Sequence, residues 1–514
     1  MPYRIWTTLP FMTALLLAAS VPAADWPQWG GTNQRNLVSS ETHLPESVSP
    51  GKLVDGQQRL DLSTALNVAW AVRLGSITFG NPVVARGRVI VGTSAPTIDP
   101  RFTGDRGAVI CFDAVTGDLV WQLNAPNDPK ANANLARSQK LGICSSATVD
   151  GDRVYVLGYR CDALCLNFNG LTNGNQGAFQ DEAAYQGGSG KPPIATTSAD
   201  ADILWRFDVT GTLGIQPHDA MSSCPLVYGD LVYFGTDVAV NQKHKVCETP
   251  HAPSLVALNK DTGEPVAGDA EEIGTRVFHG QWSSPSLAEV NGKPLLFYGG
   301  GDGICYAFDP KPEPRPSEPM GVLRKVWSFD VNLGNKLPYK LKGGGGPSEI
   351  IGTPVCVDNR VYVAIGQDWT HHIDKGRLVC IDATGASDIT QTGKIWSYDD
   401  ISHTVGTVSV TGGLVYIADV AGKVHCIDAV TGKVCWVYDC KAPIWGGTLV
   451  ADGKVYVGTS HGKLLILAAG REQRLISEAS LGSPIAGTPV AANGTLYVAT
   501  YKALYAFRNA DRMP

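Results

Sequence analysis

The sequence predicts an all-β fold: an eight-bladed β-propeller of four-stranded blades, with the ring closed by a strand from the N-terminal side. Three observations lead there. A four-strand unit recurs along the chain. Glycine (58) and proline (32) are abundant enough among 514 residues to supply many turns. The last repeat stops one strand short, and a strand-like segment without a preceding partner lies near the start.

The clearest unit is GTVSVTGGLVYIADVAGKVHCIDAVTGKVCW, residues 406–436. Val408 and Val410, then Leu414 and Tyr416, alternate as half-buried strands do. Gly412-Gly413 supplies the positive-φ residues of a tight hairpin. In DAVTG (residues 428–432) the Asp accepts backbone N–H bonds and the Gly takes positive φ. Trp436 falls on the outermost strand, where its ring can wedge against the next blade. The same grammar begins near Pro82, Ser145, Ser223, Ser284, Thr353, Gly447 and Gly487, with no Trp in the third and seventh units. The Gly487 unit has three strands, and Asn67-Val68-Ala69-Trp70 supplies the fourth. Closure removes the open sheet edges of an unclosed stack.

Five of the twelve cysteines fall at one repeat position, in VICFDA, ALCLNF, GICYAF, LVCIDA and VHCIDA (Cys111, Cys165, Cys305, Cys380, Cys426). Equivalent sites in neighbouring blades lie too far apart for a disulfide, so these read as small buried hydrophobes. Cys161 with Cys165, or Cys435 with Cys440, are spaced for local pairing, with free buried thiols as the alternative. There is no haem-attachment CxxCH.

The DAxTGxxxW turn resembles the PQQ-like (quinoprotein-type) propeller repeat. That family includes quinoprotein alcohol dehydrogenases and the outer-membrane assembly factor BamB. DWPQWGG (residues 25–31) and SSETHLP (residues 39–45) resemble the start of exported bacterial PQQ-like repeat proteins. The resemblance covers roughly residues 25–508 and speaks to fold, because the repeat residues are scaffold.

The expected organisation is a signal peptide over 1–23, an N-terminal extension over 24–65, the propeller over 66–508 and a tail over 509–514. Arg4, an apolar run over 9–19 and Val21-Pro22-Ala23 fit an export signal cleaved near Ala24, without a lipidation cysteine. The expected location is therefore the periplasm or the exterior. A net charge of −6 without a basic block excludes a nucleic-acid partner. No later run is long enough for a transmembrane helix.

Long insertions gather on second-to-third loops (93–106, 236–253, 366–375) and on the 332–349 link between blades, which share one face. Residues 167–201 interrupt a third-to-fourth turn and should form a mobile excursion on the opposite face or rim. Residues preceding innermost strands line the tunnel mouth: Trp282, Trp445, Arg276, His279 and His403, with His218, Asp219 and Glu349. Gln367, Asp368, Trp369, His371 and His372 add a loop on that face. These form a candidate cleft with convergent polar groups. The plainer alternative has Trp282 and Trp445 plugging the tunnel and the histidines capping loop backbone. Adjacent His371-His372 is a poor metal signal, and no metal site is expected.

No nucleophile triad, phosphate loop or zinc-protease motif is present. The resemblance implies a non-catalytic binding or scaffolding propeller of the bacterial envelope, with a protein or peptide partner and no expected cofactor. One alternative is a PQQ- and Ca²⁺-dependent alcohol or aldehyde dehydrogenase. Against it, the sequence lacks the adjacent cysteines many such enzymes carry, and Asp302 and Asp368 are lone candidate bases. A glycan-binding accessory protein is the other alternative.

Overall fold

A computed structural model describes residues 24–52, 59–94, 99–128, 140–341, 344–367 and 373–512. The predicted export signal lies outside them. Eight four-stranded antiparallel sheets surround one axis, two of them extended by a short fifth strand. Blade 1 runs through Val83–Ala85, Arg88–Ser94, Arg106–Asp113 and Leu119–Pro126, from the axis outwards. The other blades repeat this order, so every innermost strand is short and lies next to the axis. In blade 8 the outermost strand is Val68–Arg73, which pairs antiparallel with Ala503–Phe507. The ring therefore closes as the repeat count predicts.

Local chemistry explains the blade. Gly412 and Gly413 have φ of 59° and 72°. Asp428 Oδ1 accepts the backbone N–H groups of Val430 (3.1 Å) and Thr431 (2.9 Å), and Asp113 repeats this with Val115 and Thr116. The outer-strand tryptophans tie blade to blade. The indole N–H groups of Trp70, Trp121 and Trp205 donate to the carbonyls of Ala114, Phe168 and Lys260 in the following blade, at 2.8–3.0 Å. Trp327, Trp396 and Trp436 do the same with Ala383, Ala429 and Gly470 at 2.9–3.1 Å. The ring then lies flat on the turn glycine: a Cβ on Gly432 would fall 2.7 Å from Trp396.

Blades 3 and 7 lack the tryptophan, and each junction is completed differently. At blade 3, the Tyr233 hydroxyl donates to the Pro310 carbonyl at 2.6 Å, and Gly321–Val322 adds a parallel edge strand to Pro265–Gly268. At blade 7, Leu44, Val48 and Leu60 of the N-terminal extension join the buried cluster that holds Tyr456 and Tyr497. The 167–201 insertion is folded rather than a mobile excursion. Its helix Glu182–Gly187 carries buried Tyr185, and Ala199 and Ala201 bond the backbone of Gln122 on the outer strand of blade 1.

A belt of hydrogen bonds encircles the axis just before the innermost strands. Asn81 N–H donates to Ser146, the Ser145 hydroxyl to Ser223 O, Cys224 N–H to Ser284 and the Ser283 hydroxyl to Gly352 O. It continues from Thr353 N–H to Thr407, through the Ser409–Thr448 hydroxyl pair, and from Gly447 N–H to Thr488. Thr488 N–H closes it on the Asn81 side-chain Oδ1. All these contacts span 2.6–3.1 Å, one at each blade junction.

Residues 24–41 make one lap around the tunnel beneath this belt. Trp26 pairs with Val84 of blade 1, and Pro27 O accepts from Val149 of blade 2. Asn33 bonds Val227 and Leu287 of blades 3 and 4, and the Trp29 indole donates to Thr353 of blade 5. The Asn36 amide bonds both backbone groups of Val410, Val38 pairs with Val450, and Ser39 donates to Ala491. All eight blades are thus touched. Arg35 is fully buried at the centre and donates to the carbonyls of Trp29, Cys224, Pro225 and Pro285 at 2.6–3.3 Å. The tunnel plug is this segment, not Trp282 and Trp445.

All twelve cysteines are free, so neither local pairing is present. The five repeat cysteines are fully buried, and burial pushes the Cys165, Cys380 and Cys426 thiols up to about 12. In the native chain, thiol labelling read by mass spectrometry should reach Cys247 and Cys435 and spare the five repeat cysteines; labelling at Cys111 or Cys305 would contradict this packing. Trp121→Ala should cost about 3–5 kcal/mol, read as a large fall in thermal midpoint. Exposed Val434→Thr should shift stability by no more than about 0.5 kcal/mol.

Candidate functional site

The plug turns the tunnel into a cup. A cavity of about 430 Å³ lies on the axis, with Trp29 in its lining and segments of all eight blades around it. Its walls are the chain just before each innermost strand, so it opens on the face that carries the long second-to-third loops. Glycines keep this passage narrow: a Cβ on Gly406 would lie 2.7 Å from Gly446 O, and one on Gly446 2.5 Å from Gly487 O.

The cup has two unlike sides. On one, Phe79 packs against Trp445 and Tyr501 with ring centroids 5.7 and 5.6 Å away. On the other, the rings of His218, His244 and His279 lie 4.3–4.7 Å apart, and Trp282 meets His279 edge-on at 5.1 Å. Asp219 also lines the cup. Two buried carboxyl groups, Glu349 and Asp237, belong to the same region. Glu349 Oε1 is 3.8 Å from His279 Nδ1, and Asp237 accepts the Gln281 N–H at 3.2 Å. Burial raises the Asp237 pKa well above the usual carboxyl value.

Of the residues predicted from sequence, Trp282, Trp445, His279, His218 and Asp219 reach the cup. Arg276 does not. Its guanidinium bonds Asp302, the Tyr306 hydroxyl and the Glu271 and Glu272 carbonyls outside the lining. That also removes Asp302 as a candidate base: it is buried and accepts from Tyr306 at 2.6 Å and from Arg276. His403 is buried but off the cup, and its backbone bonds Asp374 and Val420. Asp368, Trp369, His371 and His372 lie outside the described residues. Sequence reasoning missed His244 and Gln242, whose only signal is their place in the long 236–253 loop, and Trp29 in the plug.

The sequence profile of the outer membrane protein assembly factor BamB family matches residues 62–170 and 324–512, more than half of the chain. The chain belongs to this family of PQQ-like propellers. Among curated proteins, this BamB-family chain is 28% identical over 416 residues to quinohemoprotein alcohol dehydrogenase ADH IIB of Pseudomonas putida. That match covers 75% of the chain and 54% of the relative. It is 29% identical over 208 residues to the quinohemoprotein alcohol dehydrogenase of Comamonas testosteroni, covering 36% of the chain and 29% of that enzyme. The chain thus spans about half, or less, of the length of the curated relatives it matches. Two solved structures share the fold. The Comamonas testosteroni enzyme superposes with a TM-score of 0.60 at 13% identity, covering 97% of this chain and 82% of the other. BamB from Moraxella catarrhalis superposes at 0.52 and 15% identity, covering 86% and 96%.

Asp374 ties residues 344–345 to the chain entering the third strand of blade 5, Arg377–Asp382. Its carboxylate accepts the backbone N–H groups of Gly344, Gly345 and Lys375, at 2.7–3.1 Å, and these bonds hold its pKa down to about 2. The charged form is therefore bound in the folded state, and its stabilisation is present above the ordinary Asp value and lost as pH falls towards 2. Asp374→Asn should lower the thermal midpoint at pH 6. The gap to the parent should close as pH falls below about 4. A gap independent of pH would contradict this role.

Proposed function

We propose that this chain is an exported, non-catalytic binding propeller of the bacterial cell envelope, with the axial cup as its recognition site. The observation that carries the reading is the cup itself. It is closed below by residues 24–41, opens on the loop-rich face and is lined by Trp282, Trp445, Phe79 and Tyr501. A concave site of this volume with an aromatic side suits an apolar or aromatic group of a small molecule or a partner's side chain. Membership of the BamB family supports an envelope protein or peptide as partner.

A quinone cofactor fits these residues poorly. PQQ is a flat tricarboxylate and needs positive counter-charge. Among the described lining residues none is Lys or Arg, Asp219 adds negative charge, and Arg276 is committed to Asp302 and Tyr306. The aromatic side could stack on a flat ring, but no Lys or Arg of the described lining would pair with its carboxylates.

Export has its own support. Ala24 N–H donates to the Glu41 carboxylate at 2.8 Å, and that carboxylate also accepts from Asn493 and Gly494. Cleavage after Ala23 would convert this N–H into an α-ammonium facing a mostly buried carboxylate.

Two measurements test the reading. Titration of the mature chain with PQQ and Ca²⁺ should give no saturable tryptophan quenching and no alcohol-dependent dye reduction. Quenching lost in Trp282→Ala, together with dye reduction, would make the chain a quinoprotein dehydrogenase instead. N-terminal sequencing of the exported protein should begin at Ala24; retention of residues 1–23 would contradict the export reading.

A further inference from the structure

His218, His244 and His279 come from three separate stretches of chain. The first precedes the innermost strand of blade 3 (Leu226–Tyr228). The second sits at the tip of that blade's long second-to-third loop. The third precedes the innermost strand of blade 4 (Ser286–Val290). Their nitrogen ligand atoms all lie within 4.8 Å of one another. Three imidazoles around a zinc-like ion at about 2.0–2.1 Å place their nitrogens roughly 3.4 Å apart. Small side-chain rotations therefore convert the observed cluster into a ligand set.

The groups behind the imidazoles match what such a set needs. His218 Nδ1 lies 2.8 Å from the Val240 carbonyl, which only accepts, so Nδ1 carries the proton and Nε2 keeps a lone pair for a metal. A carbonyl or carboxylate behind a ligating imidazole is the usual orienting arrangement. Glu349, fully buried, stands 3.8 Å from His279 Nδ1, outside hydrogen-bond range but close enough to accept from it after a small rotation. The loop that carries His244 is pinned to both other segments. Gln242 Nε2 donates to His218 O at 2.6 Å, and Val240 N–H donates to His279 O at 2.9 Å. His244 itself has a left-handed backbone (φ 52°) in a tight turn, where its N–H bonds Asn241 O.

We infer that His218, His244 and His279 form a binding site for a first-row transition-metal dication, zinc above all, in the wall of the cup. Three nitrogen ligands exclude a Ca²⁺-type site, which takes oxygen ligands, and suit Zn²⁺, Cu²⁺ or Ni²⁺. All three residues line the cavity, so the fourth coordination position faces it. A lone-pair donor from whatever occupies the cup can complete the coordination. The inference concerns the same cup as the functional reading but does not rest on it, because metal uptake is read on the isolated chain without partner or PQQ.

The test uses the full chain without a histidine tag, stripped by chelator and titrated with Zn²⁺ and, separately, Co²⁺. The expected result is one equivalent bound per chain, with the intense visible Co²⁺ absorption of a four-coordinate site. His244→Asn keeps a residue tolerated at left-handed φ and should abolish stoichiometric uptake while leaving the circular dichroism spectrum unchanged. His279→Asn should do the same, and Glu349→Gln should weaken binding about 10- to 100-fold. Absence of stoichiometric uptake by natively folded protein would overturn the inference. So would uptake that survives both histidine substitutions.

Discussion

Ring closure is the constraint from which the rest of this structure follows. Val68–Arg73 must reach across to Ala503–Phe507 to give blade 8 its outer strand. Residues 24–52 and 59–67 are then left to be placed against a finished ring. They take the two places where the ring is incomplete. Residues 24–41 occupy the tunnel, which the short innermost strands of eight blades cannot fill. Leu44, Val48 and Leu60 pack where blade 7 has no tryptophan. The buried Arg35 shows how tightly the plug is fitted. Burial pulls its pKa down to about 10, so it stays charged at neutral pH, and four carbonyls replace its hydration.

The same constraint fixes the site. The hydrogen-bond belt and the close approach of Gly406, Gly446 and Gly487 set the radius at which side chains can enter the axis. With the lower end filled, what remains is a cup whose contents depend on the link before each innermost strand and on loops long enough to fold back over it. Aromatic residues supply one side and imidazoles the other. This division follows the chain, since Trp445 and Tyr501 belong to blades 7 and 8 and the imidazoles to blades 3 and 4.

Much of the fold is legible in the sequence because it is written in local chemistry. DAVTG folds through its own Asp and Gly, and the outer-strand Trp needs only the next blade's turn. The missing fourth strand at Gly487 shows where the ring closes. The cup is partly legible for the same reason: Trp282, Trp445, His279, His218 and Asp219 sit just before innermost strands, a place fixed by the repeat. Arg276 and His403 sit near such strands too, yet competing partners — Asp302 and Tyr306 for Arg276 — draw the first away, and the second is buried off the cup. His244 and the plug lie in aperiodic chain. No spacing rule tells that a loop tip folds back beside two distant histidines, or that DWPQWGG enters the tunnel.

The central claim is that residues 24–41 are part of the propeller core and close the tunnel into a cup. Native-state hydrogen exchange tests it most directly. The backbone N–H groups of Trp26 and Ser39, and those of Val84, Val149, Leu287, Val410 and Val450 that bond the plug, should exchange as slowly as the middle strands of the blades. Rapid exchange across residues 26–39, with the blades still protected, would mean an open tunnel and would contradict the account.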